Sequence, residues 1–257
     1  MRDLVSVIMP SYNCRQFVEE TIRSVQAQTY QNWELLYYDD CSTDDSIKGV
    51  RELQLIDNRI KVFSNSCNCG VAITRNNTLR EAKGRWIAFL DSDDVWEPTK
   101  LEKQIKFMEK NGYAFSYTGY QEINEKSQPT GIFISGPKRI TMQKIRNYCW
   151  PGCLTVMYDA NKIGLIQISD LKRNNDYAMW LKICKKADCY LLDECLARYR
   201  RGRVGSVSSH SITTLIGWHY KLWHEAEEMG VISSLWRTGV NLVFGLYKKL
   251  RYVKHVK

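Results

Sequence analysis

Three apolar runs in the N-terminal part of the chain each end abruptly in polar residues. Leu4–Met9 runs into Pro10-Ser11-Tyr12-Asn13, Glu34–Tyr38 into Asp39-Asp40, and Arg85–Leu90 into Asp91-Ser92-Asp93-Asp94. Segments with helical periodicity separate them: Arg15–Gln28, where Phe17, Ile22 and Val25 share a face, a polar stretch near Asp44–Leu55, and Val71–Ala82. Arg59–Ser64 and Ala114–Tyr120 read as further strands, with a helix at Lys100–Lys110 between Arg85–Leu90 and Ala114–Tyr120. Such alternation predicts an α/β fold with a mostly parallel central sheet and helices on both faces, which is why its strands are continuously apolar. In open sheets of this kind, ligands bind just beyond the carboxyl ends of the strands. Asp39, Asp40, Asp91, Asp93 and Asp94 all fall there. Carboxylates this crowded repel one another unless a cation or hydrogen-bond donors sit among them, so the sheet edge is the candidate site.

From about Gln121 the pattern loosens. Short β-like pieces at Gly131–Ile134, Leu154–Tyr158, Cys189–Leu192 and Leu196–Arg200 are mixed with a helix over Asp176–Lys186, and two helices split near Gly230 close the chain. The expected organisation is a catalytic domain over 1–208, with a nucleotide-binding half to about 120 and an acceptor half over 121–208, followed by a basic helical segment over 209–257.

Bulk properties narrow the function classes. A 44% hydrophobic content over 257 residues suits a packed core. No apolar run approaches the roughly 20 residues that span a bilayer, and Leu4–Met9 lacks the length and cleavage site of a signal peptide. The nine cysteines include no C-x-x-C pair with a matching partner; Cys67-Asn-Cys69 comes nearest to a ligand pair, and reduced thiols in a cytoplasmic protein are the expectation. The net charge of +9 implies an anionic partner, and no acidic residue follows Glu228, so the excess is concentrated at the C-terminus.

The acidic turn after Arg85–Leu90 carries the most chemistry. Mg²⁺ or Mn²⁺ characteristically takes one or two carboxylates plus substrate phosphates, which Asp91, Asp93 and Asp94 could supply. Asp94 as the cap of the next helix is the plainer alternative. Asp40 could accept hydrogen bonds from a base or ribose, while Thr43 or Asp44 caps the following helix. No G-x-G-x-x-G or G-x-x-x-x-G-K-[ST] pattern occurs, which excludes Rossmann dinucleotide and P-loop sites.

Val5–Asn13, Thr29–Glu34, Asp39–Ser46, Arg75-Asn76, Gly84–Trp96 and Asn175-Asp176 followed by Trp180 resemble, in order, the motifs of glycosyltransferase family 2, over about residues 4–200. The resemblance implies a GT-A fold and inverting transfer of a sugar from a UDP-sugar to an acceptor hydroxyl with Mn²⁺ or Mg²⁺. It further implies that Pro10, Ser11 and Tyr12 line the uracil pocket and that Asp40 contacts the base. Arg75 would help hold the nucleotide, with Asp91 and Asp93 near the ribose and diphosphate, and Asp93 and Asp94 on the metal. Asp176 matches the general base, although as a residue type before Tyr177–Lys186 it equally suits an N-cap. Two positions depart from the family pattern. Cys41 stands where the D-D-G-S turn has glycine, which is tolerable if φ there is negative, and Asn175 replaces the acid that precedes the base.

Arg200, Arg201 and Arg203 offer paired donors for a phosphate or the acceptor. In the tail, Leu235, Trp236, Val240, Val243, Phe244, Tyr247 and Leu250 alternate with basic residues; this suits either a helix on an anionic membrane surface or one packed on the catalytic domain. Together these readings place the protein at the inner face of the cell membrane, acting on a lipid-pyrophosphate-linked sugar in bacterial surface polysaccharide (O-antigen) synthesis. A metal-dependent nucleotidyltransferase is the alternative. A nucleic-acid-binding protein fits less well, because the basic residues do not interleave with aromatics and an acidic sheet edge repels phosphate.

Overall fold

The computed structural model describes residues 3–202 and 212–256. The elements run β1 (Val5–Ser11), α1 (Val18–Gln26), β2 (Trp33–Asp39), α2 (Ser46–Ile56), β3 (Ile60–Ser64), α3 (Val71–Arg80), β4 (Trp86–Phe89), β5 (Val95–Trp96) and α4 (Lys100–Asn111). The second half continues β6 (Phe115–Ile123), β7 (Pro129–Ile134), β8 (Arg139–Ile140), α5 (Met142–Asn147), β9 (Met157–Asp159), α6 (Ala160–Ile163), α7 (Asn175–Cys184), β10 (Cys189–Arg200), α8 (Ile212–Lys221), α9 (Val231–Tyr252) and β11 (Val253–His255).

One sheet runs β11-β7-β6-β9-β4-β1-β2-β3, with β10 beside β6. The expected parallel order holds across β4-β1-β2-β3 and again for β6 with β10. The sheet as a whole is mixed rather than mostly parallel, because β9 runs antiparallel to both β4 and β6, and β7 folds back on β6 as a hairpin. Cys189–Leu192 and Leu196–Arg200 are a single strand, β10, whose register against β6 slips at Cys195.

Burial on both faces explains the composition of the central strands: β1 is buried along its whole length. One face is covered by Val18, Ile22 and Val25 of α1, Val50 and Leu53 of α2, and Leu101, Ile105 and Met108 of α4. The other is covered by Leu79 of α3, Ile145 of α5 and the strongly apolar α7, with Trp180 packed edge-on against Phe89 at 5.1 Å. Gly84 lets β4 approach β1: a Cβ there would meet the Leu4 carbonyl oxygen and the Ser6 nitrogen at 2.6 Å.

The C-terminal segment is built into this body. β11 pairs with β7, and α9 lies against α5, α8 and the π-helical turn Leu222–Ala226. The fully buried contacts of the helix are polar. The buried residues of α9 are Ser234, Thr238 and Asn241. The Asn241 amide accepts from Trp223 Nε1 at 2.8 Å and donates to the Asn147 carbonyl at 2.7 Å and the Tyr177 hydroxyl at 3.2 Å. Phe244 and Tyr252 pack inward around Trp150, whereas Ile232, Leu235, Trp236, Val243, Leu246 and Leu250 are all exposed.

Candidate active site

The carboxyl ends of β1, β2 and β4 open onto a cleft of about 910 Å³. Pro10, Ser11, Tyr12, Asp40, Arg75, Asp91, Asp93, Asp94, Asp176 and Arg200 all line it, so the structure brings together residues scattered over the length of the catalytic domain.

The turn after β2 is held by a network of hydrogen bonds. Asp40 Oδ1 accepts from the Cys69 N–H and from Asn65 Nδ2, and Oδ2 from the Gly70 N–H, each at 2.8 Å. A carboxylate has about four acceptor positions, so Asp40 is locked in orientation with one position left for a ligand N–H. Asp39 is different: its oxygens are taken by the Ser42 N–H at 2.8 Å and the Ser42 hydroxyl at 2.6 Å, and it shapes the turn without lining the cleft. The turn also overturns one expectation. Cys41 has φ +61°, the left-handed conformation that glycine would supply, and a side chain there costs about 1 kcal/mol. The N-cap of α2 is Asp45, not Thr43 or Asp44; Asp44, one residue earlier, accepts from the Ser46 N–H through Oδ1 at 2.9 Å.

At the end of β4 the three acids have distinct surroundings. Asp91 Oδ1 accepts from Arg75 Nη2 at 2.7 Å. Asp94 Oδ1 accepts from the Arg200 N–H at 2.8 Å, whereas its Oδ2 is buried with no hydrogen-bond partner. Burial, with Asp93 and Asp91 nearby, pushes the Asp94 carboxyl well above the usual carboxylate range. An orphaned carboxylate oxygen among like charges is what a divalent cation would relieve, so the residues fit one. Among the described residues no group of three or more His, Cys, Asp or Glu is arranged to hold a metal by itself.

Asp176 faces these acids from the first turn of α7. Asn174 occupies the N-cap with φ +56°, so Asp176 is not the cap, and its Oδ1 accepts from the Tyr177 N–H at 2.8 Å. Burial raises its pKa, opposed by the positive charge of Arg75. Arg75 is the link that the sequence does not show. Its Nη1 donates to Asn175 Oδ1 at 3.0 Å while Nη2 holds Asp91, so one buried guanidinium ties the end of β4 to the start of α7. Asn175, the departure from the family pattern, thereby acquires a positioning role.

The arginines expected to meet phosphate do not stand free. Arg200 is buried, with Nε on the Asp93 carbonyl oxygen at 2.8 Å, Nη1 on the Asn124 carbonyl and Ser127 hydroxyl, and Nη2 on Glu20 at 2.7 Å. Arg201 pairs with both oxygens of Glu122. Arg200 thus ties the end of β4 to β10 and α1, and Arg201 pairs β10 with β6; Arg203 lies outside the described residues. Lys172, Arg173, Trp218 and Lys248 also line the cleft. Lys172 and Arg173 are a visible basic pair just before Asp176, whereas no pattern in the chain would have brought Trp218 or Lys248 to the cleft.

Comparison with known proteins agrees with this geometry. The family described as Glycosyl transferase family 2 matches residues 6–165. The chain is 43% identical over 200 residues to the putative teichuronic acid biosynthesis glycosyltransferase TuaG of Bacillus subtilis, covering 77% of this chain and 79% of that one. It is 44% identical over 182 residues to the Escherichia coli UDP-Glc:alpha-D-GlcNAc-diphosphoundecaprenol beta-1,3-glucosyltransferase WfgD, covering 71% and 70%. Among solved structures, S. aureus TarS 1-349 in complex with UDP-GlcNAc superposes with a TM-score of 0.72 at 20% identity, over 97% of this chain and 73% of that one.

Proposed function

The chain belongs to glycosyl transferase family 2, and from that premise we propose that it moves a sugar from a UDP-sugar to a hydroxyl of a lipid-diphosphate-linked sugar, inverting the anomeric centre. The observation that carries the reading is the cleft itself: a half-buried carboxylate, Asp176, opposite an orphaned one, Asp94, with Arg75 spanning the distance. UDP and an acceptor of this class are what WfgD is named for. Neither nucleotidyl transfer nor nucleic-acid binding is the chemistry of this family.

Each residue then has a task. Pro10, Ser11 and Tyr12 wall the base, and the remaining acceptor position of Asp40 takes an N–H of uracil. Asp91, oriented by Arg75, and Asp93 hold the ribose and diphosphate end. Mg²⁺ or Mn²⁺ on Asp93 and Asp94 would supply Lewis-acid stabilisation of the departing diphosphate. Asp176 accepts the proton of the attacking hydroxyl as the bond to the anomeric carbon forms. Burial, which raises its pKa against the opposing charge of Arg75, makes it a stronger base than a solvated aspartate.

No described helix is long and apolar enough to cross a membrane. The exposed apolar face of α9 is proposed to rest on an anionic bilayer at the cytoplasmic side, where Lys249, Arg251 and Lys254 on the exposed surface match the charge of the headgroups.

Titration with UDP in the presence and absence of Mn²⁺ tests the donor site. Tighter binding with Mn²⁺, lost on adding EDTA or in Asp94→Ala, is expected together with loss of turnover. Asp94→Ala with near-parental kcat would remove the metal role.

A further inference from the structure

Once Arg200 and Arg201 are committed to Glu20 and Glu122, the acceptor end of the cleft still contains three cations with no described carboxylate as ion-pair partner: Lys172, Arg173 and Lys248. They come from two separate parts of the chain. Lys172 and Arg173 sit on the loop entering α7, immediately upstream of Asp176, and Lys248 reaches the cleft from α9. We propose that these three side chains form a diphosphate-binding subsite that holds the acceptor, not the donor, through the phosphates that link its sugar to lipid.

Position, charge and hydrogen-bonding capacity support the assignment. Lys248 Nζ donates one hydrogen bond, to the Trp150 carbonyl at 2.8 Å, and an ammonium has three donors, so two remain for phosphate oxygens. Burial pulls the Lys248 pKa down while Cys149 and Asp176 push it back up; a poorly solvated amine of this kind gains most from an anion. The Arg173 guanidinium lies over the Trp218 ring at 5.3 Å, which leaves its in-plane donors available for paired bonds to phosphate. On the proposed reading the donor diphosphate would be held at Asp93 and Asp94 beyond β4, whereas Lys172 and Arg173 enter the cleft from the loop before α7. An acceptor hydroxyl poised on Asp176 belongs to a sugar whose anomeric phosphate is one pyranose ring away, and Lys172 and Arg173 flank that base.

The inference rests on the glycosyltransferase reading, and the experiment separates the two. Protein saturated with UDP and Mn²⁺ is titrated with GlcNAc α-linked through a diphosphate to an alkyl chain, and with the matched alkyl glycoside that lacks the diphosphate. The diphosphate probe should bind more tightly, with an affinity that falls as salt is raised. Lys172→Gln, Arg173→Gln and Lys248→Gln should each weaken it by about tenfold, the effect of one charge-assisted hydrogen bond. The preference for the diphosphate probe should therefore collapse while UDP affinity, which reports the fold and the donor site, stays near parental. If Lys248→Gln loses UDP binding through misfolding, the two loop variants decide. Equal affinity for both probes, an undiminished preference in the variants, or displacement of the probe by UDP would overturn the subsite. Failure of the parent to bind UDP would overturn the glycosyltransferase reading itself and this inference with it.

Discussion

Asp176 sits between two opposing influences. Burial favours its protonated form and the neighbouring Arg75 favours the ionised one, with burial the larger. Its acid limb should therefore appear above the ordinary aspartate value of about 3.9, with kcat/KM falling as pH drops through it. Arg75→Gln removes the opposing charge and should move that limb to still higher pH, measurable in a pH–rate profile. Asp176→Asn should lower kcat by about 10²–10⁴ with UDP affinity little changed; collapse of UDP binding in step with activity would make Asp176 a structural residue. Arg200 belongs to the opposite category. Its guanidinium is fully enclosed and bonded to Glu20, two backbone carbonyls and Ser127, and removing it leaves buried acceptors without their donor, at about 1–3 kcal/mol each. Arg200→Ala should appear as a lowered Tm. A variant with parental Tm and a raised acceptor KM would restore Arg200 as a phosphate ligand.

At the scale of elements, α9 is the most informative because its pattern is reversed. A surface helix ordinarily buries its apolar stripe, whereas here Ser234, Thr238 and Asn241 face inward and Ile232, Trp236, Val243, Leu246 and Leu250 face out. The helix can therefore pack on the body and meet a membrane at once, so the two roles open at the level of sequence are compatible. Each basic residue near an anionic surface contributes about 1 kcal/mol. The protein should sediment with anionic liposomes at low salt and be released as salt rises. Replacing Trp236, Leu246 and Leu250 together with Gln should release it while Tm holds, since these side chains leave no core cavity. Liposome binding that survives that triple variant would place the contact elsewhere.

For the whole molecule, β11 closing against β7 and Lys248 entering the cleft make the C-terminal segment part of the catalytic body. A chain cut after Gly230 loses the partners of Trp223, Tyr177 and the α5 carbonyls. It should precipitate or melt far below the parent, which circular dichroism would show; a cut chain melting at the parental temperature would mean that α9 is dispensable. The parallel strands and the acids at their carboxyl ends were legible from sequence, because burial on both faces forces continuous apolar runs and the end of such a run is a local feature. The same holds for Asp40, Asp94 and Asp176, which sit in short motifs whose neighbours are their own context. Other features had no local signature. The left-handed turn at Cys41 is set by its bonds to strands on either side, and the choice between a free and a committed arginine depends on where Glu20 and Glu122 fall. The sequence by itself determined the α/β class, the family and the acidic edge, because these are written in spacing along the chain. Only the tertiary structure decided which cations line the cleft unpaired with a described carboxylate, because folding joins Arg200 to Glu20 and brings Lys248 into the same cleft as Lys172 across separations that periodicity does not encode.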